Sequence, residues 1–166
     1  MKPAKTPILV RLFVAVMFCL SGCVTMWVLL GLEPDVATES EFLTFVLCAG
    51  FGACVSGLLF APMIGNDRPR AWISGALGSV FGTLAGAGIG GMALAVFSDW
   101  PQVSGGVVGS FILIPQMGIA AIVIVVFAMF LSLAGPVWLA MMVIAHFATQ
   151  RLRRRFPTMV QASVFD

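Results

Sequence analysis

Four cysteines and one histidine are the residues in this 166-residue chain best suited to hold a soft metal or to react as nucleophiles. Cys19 and Cys23 stand four residues apart and would share one helix face, which makes them the best candidate pair of thiolate ligands. Cys48 and Cys54, six residues apart, would point about 240° apart around a helix, so all four thiols cannot converge on one ion. If the helices that carry them are antiparallel neighbours, Cys19 should lie level with Cys54, and Cys23 with Cys48. His146 could ligate a metal or haem through neutral imidazole, yet its position one turn before Arg151 suits a snorkelling or capping group better. A buried cysteine ordinarily packs as a small apolar side chain. Cys19 and Cys23 are therefore the candidate metal residues, and no resident cofactor is expected.

Other reactive patterns are weaker. Leu20-Ser21-Gly22-Cys23 has the form of a lipobox, in which cleavage before Cys23 would leave a thiol to be lipidated. The chain stays apolar from Val24 to Leu32, whereas the apolar core of a signal peptide ends at its cleavage site, so a retained helix is the better reading. Gly86, Gly88 and Gly91 spell G-x-G-x-x-G, but no strand precedes them and no acidic residue follows at the distance that would hold a ribose. Neither nucleotide nor nucleic acid is an expected partner. Every Asp and Glu falls in a loop or tail, away from the apolar runs where a proton-coupled carrier keeps an ionisable group. Gln116 and His146 lie near opposite surfaces and form no relay. No serine with a convergent base and acid is evident, so the chain is expected not to be an enzyme.

The elements that must position these residues follow from composition. Sixty per cent of residues are hydrophobic, 10% are charged, and the mean hydropathy is +1.08, which places the chain among helical membrane proteins. A span needs roughly 20 helical residues. Spans are expected at 8–32, 42–64, 71–97 and 118–147, with 103–115 as an interfacial or re-entrant segment, Pro136 kinking the last helix, and a basic tail over 148–166. The fold class is thus all-α and polytopic, a single domain of about four transmembrane helices with five as the alternative. Thr38-x-x-Glu41, just before Phe42, has the form of a capping box for the second span.

Charge placement orients these spans. Lys2, Lys5 and Arg11 precede the first span, Arg68 and Arg70 join the second to the third, and Arg151, Arg153, Arg154 and Arg155 follow the last. Basic residues stay cytoplasmic, so four spans put both termini there, in a bacterial inner membrane, with the final arginines anchored at lipid headgroups. Trp27, Trp72 and Trp100 fall near expected interfaces. Trp138 does not, and it favours the five-span alternative.

The strongest pattern is a ladder of glycines at four-residue intervals, Gly78, Gly82, Gly86 and Gly90, within the third span. It lays bare backbone along one stripe, against which another helix can approach closely. A second row, Gly75, Ser79, Thr83, Ala87 and Gly91, widens the smooth face. The second span offers a matching stripe in Ala49, Ala53, Gly57 and Ala61, and the short 65–70 loop makes these two helices antiparallel neighbours. Besides the lipid bilayer, the expected partner is another membrane protein or a second copy of the chain. The expected role is an accessory, assembly or stabilising subunit; the alternative is an oligomeric pore or carrier for a small solute or soft metal, lined by Ser79 and Thr83.

Overall fold

The computed structural model describes residues 7–31, 39–65, 71–97 and 106–155, and these are almost entirely helical. Helix α1 runs Ile8–Gly31, α2 runs Glu39–Phe60 and ends in a 3-10 turn at Ala61–Met63, α3 runs Ala71–Phe97, α4 runs Gly106–Leu131 and α5 runs Ala134–Arg155. There is no strand among the described residues. Four helices are long and apolar enough to cross a membrane, at Ile8–Leu30, Glu41–Met63, Trp72–Phe97 and Ile112–Leu131. The fold is all-α and membrane-like, as composition requires. Thr38, Arg68, Arg70, Trp100, residues 103–105 and the tail beyond 155 lie outside the described residues.

Helix α2 is sandwiched between α1 and α3, α3 also packs on α4, and α5 packs on α1. The first four helices alternate in direction: Gly22 in the second half of α1 meets Ala49 and Ala53 of α2, Gly78 and Gly90 of α3 meet Met63 after α2 and Cys48 in its first half, and Gly91 late in α3 meets Met117 and Ala121 in the first part of α4. At the end where α1 starts, Val10, Val14 and Phe18 form a core with Ala61, Ile64 and Met142. At the opposite end, Trp27 meets Phe42 edge-on with ring centroids 6.0 Å apart. Large side chains such as Leu12, Leu47 and Phe127 face outward, as they can where lipid is the solvent.

The fourth region departs from expectation. A single helix over 118–147 is replaced by α4 and α5, and residues 106–115 of the expected interfacial segment form the start of α4, with Pro115 inside it. The interruption falls at Ser132 and Leu133, ahead of Pro136. Ser132 drives it from both sides: its Oγ donates to the Ala128 carbonyl at 2.7 Å and accepts the Ala134 N–H at 3.1 Å, so one side chain closes α4 and caps α5. Pro136 then sits in the first turn of α5, where a missing N–H costs nothing. Gly135 is required there because a Cβ would collide with the Met129 carbonyl.

Helix α5 is not among the four apolar spans. Trp138 meets Thr83 about midway along α3, His146 abuts Gly75, and Arg153 reaches Ala61. It therefore runs beside the half of the bundle that carries Arg11 and leaves the other half with four helices.

Candidate functional site

The glycine ladder is where the structure concentrates its close contacts. A Cβ at Gly78 would lie 2.8 Å from Met63 Cβ, at Gly82 2.6 Å from Phe18 Cε1, at Gly86 2.9 Å from Ser56 Oγ, and at Gly90 2.8 Å from the Cys48 carbonyl oxygen. Each distance is shorter than a real Cβ tolerates, so a side chain at any of the four would force its neighbour to shift; the demand is firmest at Gly90, which meets α2 backbone, and softer at Gly82, which meets the end of the Phe18 ring. The opposing row differs in part from the expected stripe. Ala49 and Ala53 do face the ladder, but Gly57 packs on Ala15 and Phe18 of α1, and Ala61 joins the core with Val10 and Val14. The physical reason is that α2 serves two neighbours, and a four-residue stripe drifts around a 3.6-residue helix from one to the other.

The residue that completes the seam is Gly52, which the expected stripe omits. It sits in the saddle between Gly86 and Gly90, where a Cβ would strike the Gly86 carbonyl and come within 2.9 Å of Gly90 Cα. Its signal in the sequence is the spacing Ala49, Gly52, Ala53, Ser56, small residues at three- and four-residue steps.

The second row of α3 faces α4 and α5. Gly91 receives the Met117 carbonyl and Ala121 of α4. Trp138 Nε1–H donates to Thr83 Oγ1 at 2.8 Å, Thr83 donates to the Ser79 carbonyl at 2.8 Å, and Ser79 donates to the Gly75 carbonyl at 2.9 Å. Those hydroxyls are spent on their own helix and on Trp138. An indole far from any interface is thus explained by a partner inside the bundle, where its N–H must be satisfied.

The end of α2 is tied to its neighbours by three further bonds. The 3-10 turn with Pro62 leaves backbone groups free of helical partners. Two of the three bonds come from α5, where Arg153 Nη2 donates to the Ala61 carbonyl at 3.0 Å and His146 Nδ1 accepts the Gly65 N–H at 3.3 Å; the third comes from α3, whose Ser74 Oγ donates to the Met63 carbonyl at 3.3 Å. Gly65 has φ +71°, the left-handed region that glycine tolerates, and His146 fits only because Gly75 lacks a side chain. His146 acts as a cap. Among the four arginines expected at headgroups, Arg151, Arg154 and Arg155 are exposed, while half-buried Arg153 turns inward.

Cys19 and Cys23 both abut Gly50 across the α1–α2 seam, and Cys23 Sγ lies 3.7 Å from the Val46 carbonyl. Cys54 neighbours Cys19. All four cysteines are free, and among the described residues no three His, Cys, Asp or Glu are grouped to hold a metal ion. Helix α1 runs unbroken through the lipobox-like Leu20-Ser21-Gly22-Cys23.

Beside the ladder lies a cleft with two joined chambers, of about 80 Å³ and 280 Å³. Met26, Leu29, Ala49, Ala87 and Val125 line both. The larger chamber is walled by apolar residues of α1 to α4, Cys48, Met26 and Met117 among them, and the smaller reaches Ser21, Thr25, Thr83 and Trp138. No family model, curated protein or solved structure matches the chain.

Proposed function

We propose that the chain is a non-enzymatic integral membrane protein that acts through helix association as an accessory, assembly or stabilising subunit of a membrane complex. The observation that carries this reading is the one-sided packing of α4. Only 6% of its spanning window is buried, against 22% to 33% for the other three spans. Its open face aligns Ile112, Gln116, Ile119, Val123 and Phe127 at helical spacing, all exposed. An amide in such a row gains a partner when a second helix brings one, since lipid tails offer none. The association surface is therefore the outer face of α4, while the glycine ladder serves the protomer's own packing.

The setting proposed is a bacterial inner membrane with both termini cytoplasmic. The gathering of Arg11, Arg151, Arg154 and Arg155 at one end of the bundle supports that orientation, because basic residues near short spans stay inside.

A photoreactive residue placed at Ile119 in intact membranes tests the proposal. Discrete protein adducts, weakened by Gln116→Leu, are expected, and their mass separates a foreign partner from a second copy. Adducts to lipid alone would refute it.

A further inference from the structure

We infer that the cleft between α1 and α4 binds a neutral molecule dissolved in the bilayer, one that joins an apolar body to a carbonyl oxygen, as an isoprenoid quinone does. The inference is independent of the association proposed for α4, whose outer row lies on a different face.

The cleft exists because α1 packs on α2 and α5 while α4 packs on α3, so these two helices leave a gap over the floor of α2 and α3. Small residues keep the floor low: Ala87, Gly90 and Gly91 line the larger chamber. That chamber carries no charged side chain and no hydroxyl. The smaller chamber carries both features that point to an oxygen-bearing ligand. Ser21 is 1% exposed, lines this chamber, and its hydroxyl has no partner. Thr25, one turn further along α1, lines the same chamber with a buried Oγ1 that is also without a partner. A buried hydroxyl without a bond is costly, and two on one face of one cavity form a matched pair of donors.

Depth decides the class of occupant. Ser21 stands near the middle of α1, about 20 Å of helix from its first residue. A glycerophospholipid keeps its oxygens at the headgroup level and would bring only a methyl terminus to these hydroxyls. A charged solute would meet no countercharge in either chamber. A quinone is uncharged, resides in the hydrocarbon layer, and carries carbonyl acceptors on a ring with an apolar tail. Its ring would enter the smaller chamber beside Trp138, its carbonyl would accept from Ser21, the more deeply buried of the two hydroxyls, and its tail would leave through the larger chamber between Met26 and Ala121.

Trp138 supplies the test, because it lines the smaller chamber and quinones quench indole fluorescence. The full chain with Trp27→Phe, Trp72→Phe and Trp100→Phe, in nanodiscs, is titrated with decyl-benzoquinone. Saturable quenching is expected, with the dissociation constant raised about tenfold by Ser21→Ala, the loss of one hydrogen bond. Ala120→Phe, which fills the larger chamber from an exposed position on α4, should abolish saturation while circular dichroism and elution volume stay unchanged. Linear quenching that tracks partitioning, or a titration indifferent to Ser21→Ala because that hydroxyl serves its own helix, would overturn the inference. Equal saturation by a decyl alkane, read as protection from quenching, would overturn it too, since a carbonyl would then be irrelevant.

Discussion

Replacing Gly52 with alanine should cost the protein far more than the same change at Gly88, although both glycines lie in apolar helices and both gain helix propensity. The gain is about 1 kcal/mol in each case. At Gly88 the added methyl meets the end of Ile122, Cδ1 at 3.3 Å, a flexible terminus that can shift. At Gly52 it meets the Gly86 carbonyl and Gly90 Cα at 2.9 Å, backbone atoms that move only if α3 moves as a whole. Overpacking of that kind costs up to about 3 kcal/mol, so Gly52→Ala should lose about 2 kcal/mol net, roughly a thirtyfold change in the folded-to-unfolded ratio. Gly88→Ala should be neutral or stabilising by up to about 1 kcal/mol. Reversible unfolding in mixed micelles, followed by circular dichroism, measures both. If Gly52→Ala falls within about 0.5 kcal/mol of the parent, or if the two variants suffer equally, the close backbone approach at the saddle is not what holds α2 to α3.

Three other outcomes can be checked by the same unfolding assay. Trp138→Phe keeps the ring but loses its bond to Thr83, and should cost about 0.5 to 1 kcal/mol, with Thr83→Val giving no further loss in the double variant. Arg153→Met should cost about 1 kcal/mol by uncapping Ala61, whereas Arg154→Met on the exposed side should fall within about 0.5 kcal/mol of the parent. Ser132→Ala should cost about 1 kcal/mol and raise amide exchange at Ala134, because it removes the cap that separates α4 from α5.

The class of fold and its first three helices were legible because long uncharged runs have one physical solution in a bilayer. The ladder was legible too, as glycine every fourth residue has few uses other than close packing. Its partners were less so. Ala49, Ala53, Gly57 and Ala61 read as one stripe, but α2 has neighbours on both sides, and no local pattern says where contact passes from α3 to α1. The break at Ser132 was missed because Gly135-Pro136 is the louder signal, while the residue that makes the break is a serine bonded to backbone on both sides of it. Trp138 and His146 could not be placed without their partners, since each is satisfied by a group more than fifty residues away. The orphan hydroxyls of Ser21 and Thr25 carry no sequence signal, because serine and threonine usually bond within their own helix.

The break at Ser132 also separates two kinds of assembly. Four helices can enter a bilayer on hydropathy alone, each as an independent insertion event. Helix α5 ends in arginines and has no such licence; its place is set by an indole, an imidazole and a guanidinium that find their acceptors and donor only on α2 and α3 once those helices have met. Its docking thus depends on register: a bundle with α2 and α3 displaced would not present Thr83, Gly65 and Ala61 at the heights these three side chains need. Exposure of the last helix to a membrane protease would then report on the correctness of the seam that precedes it.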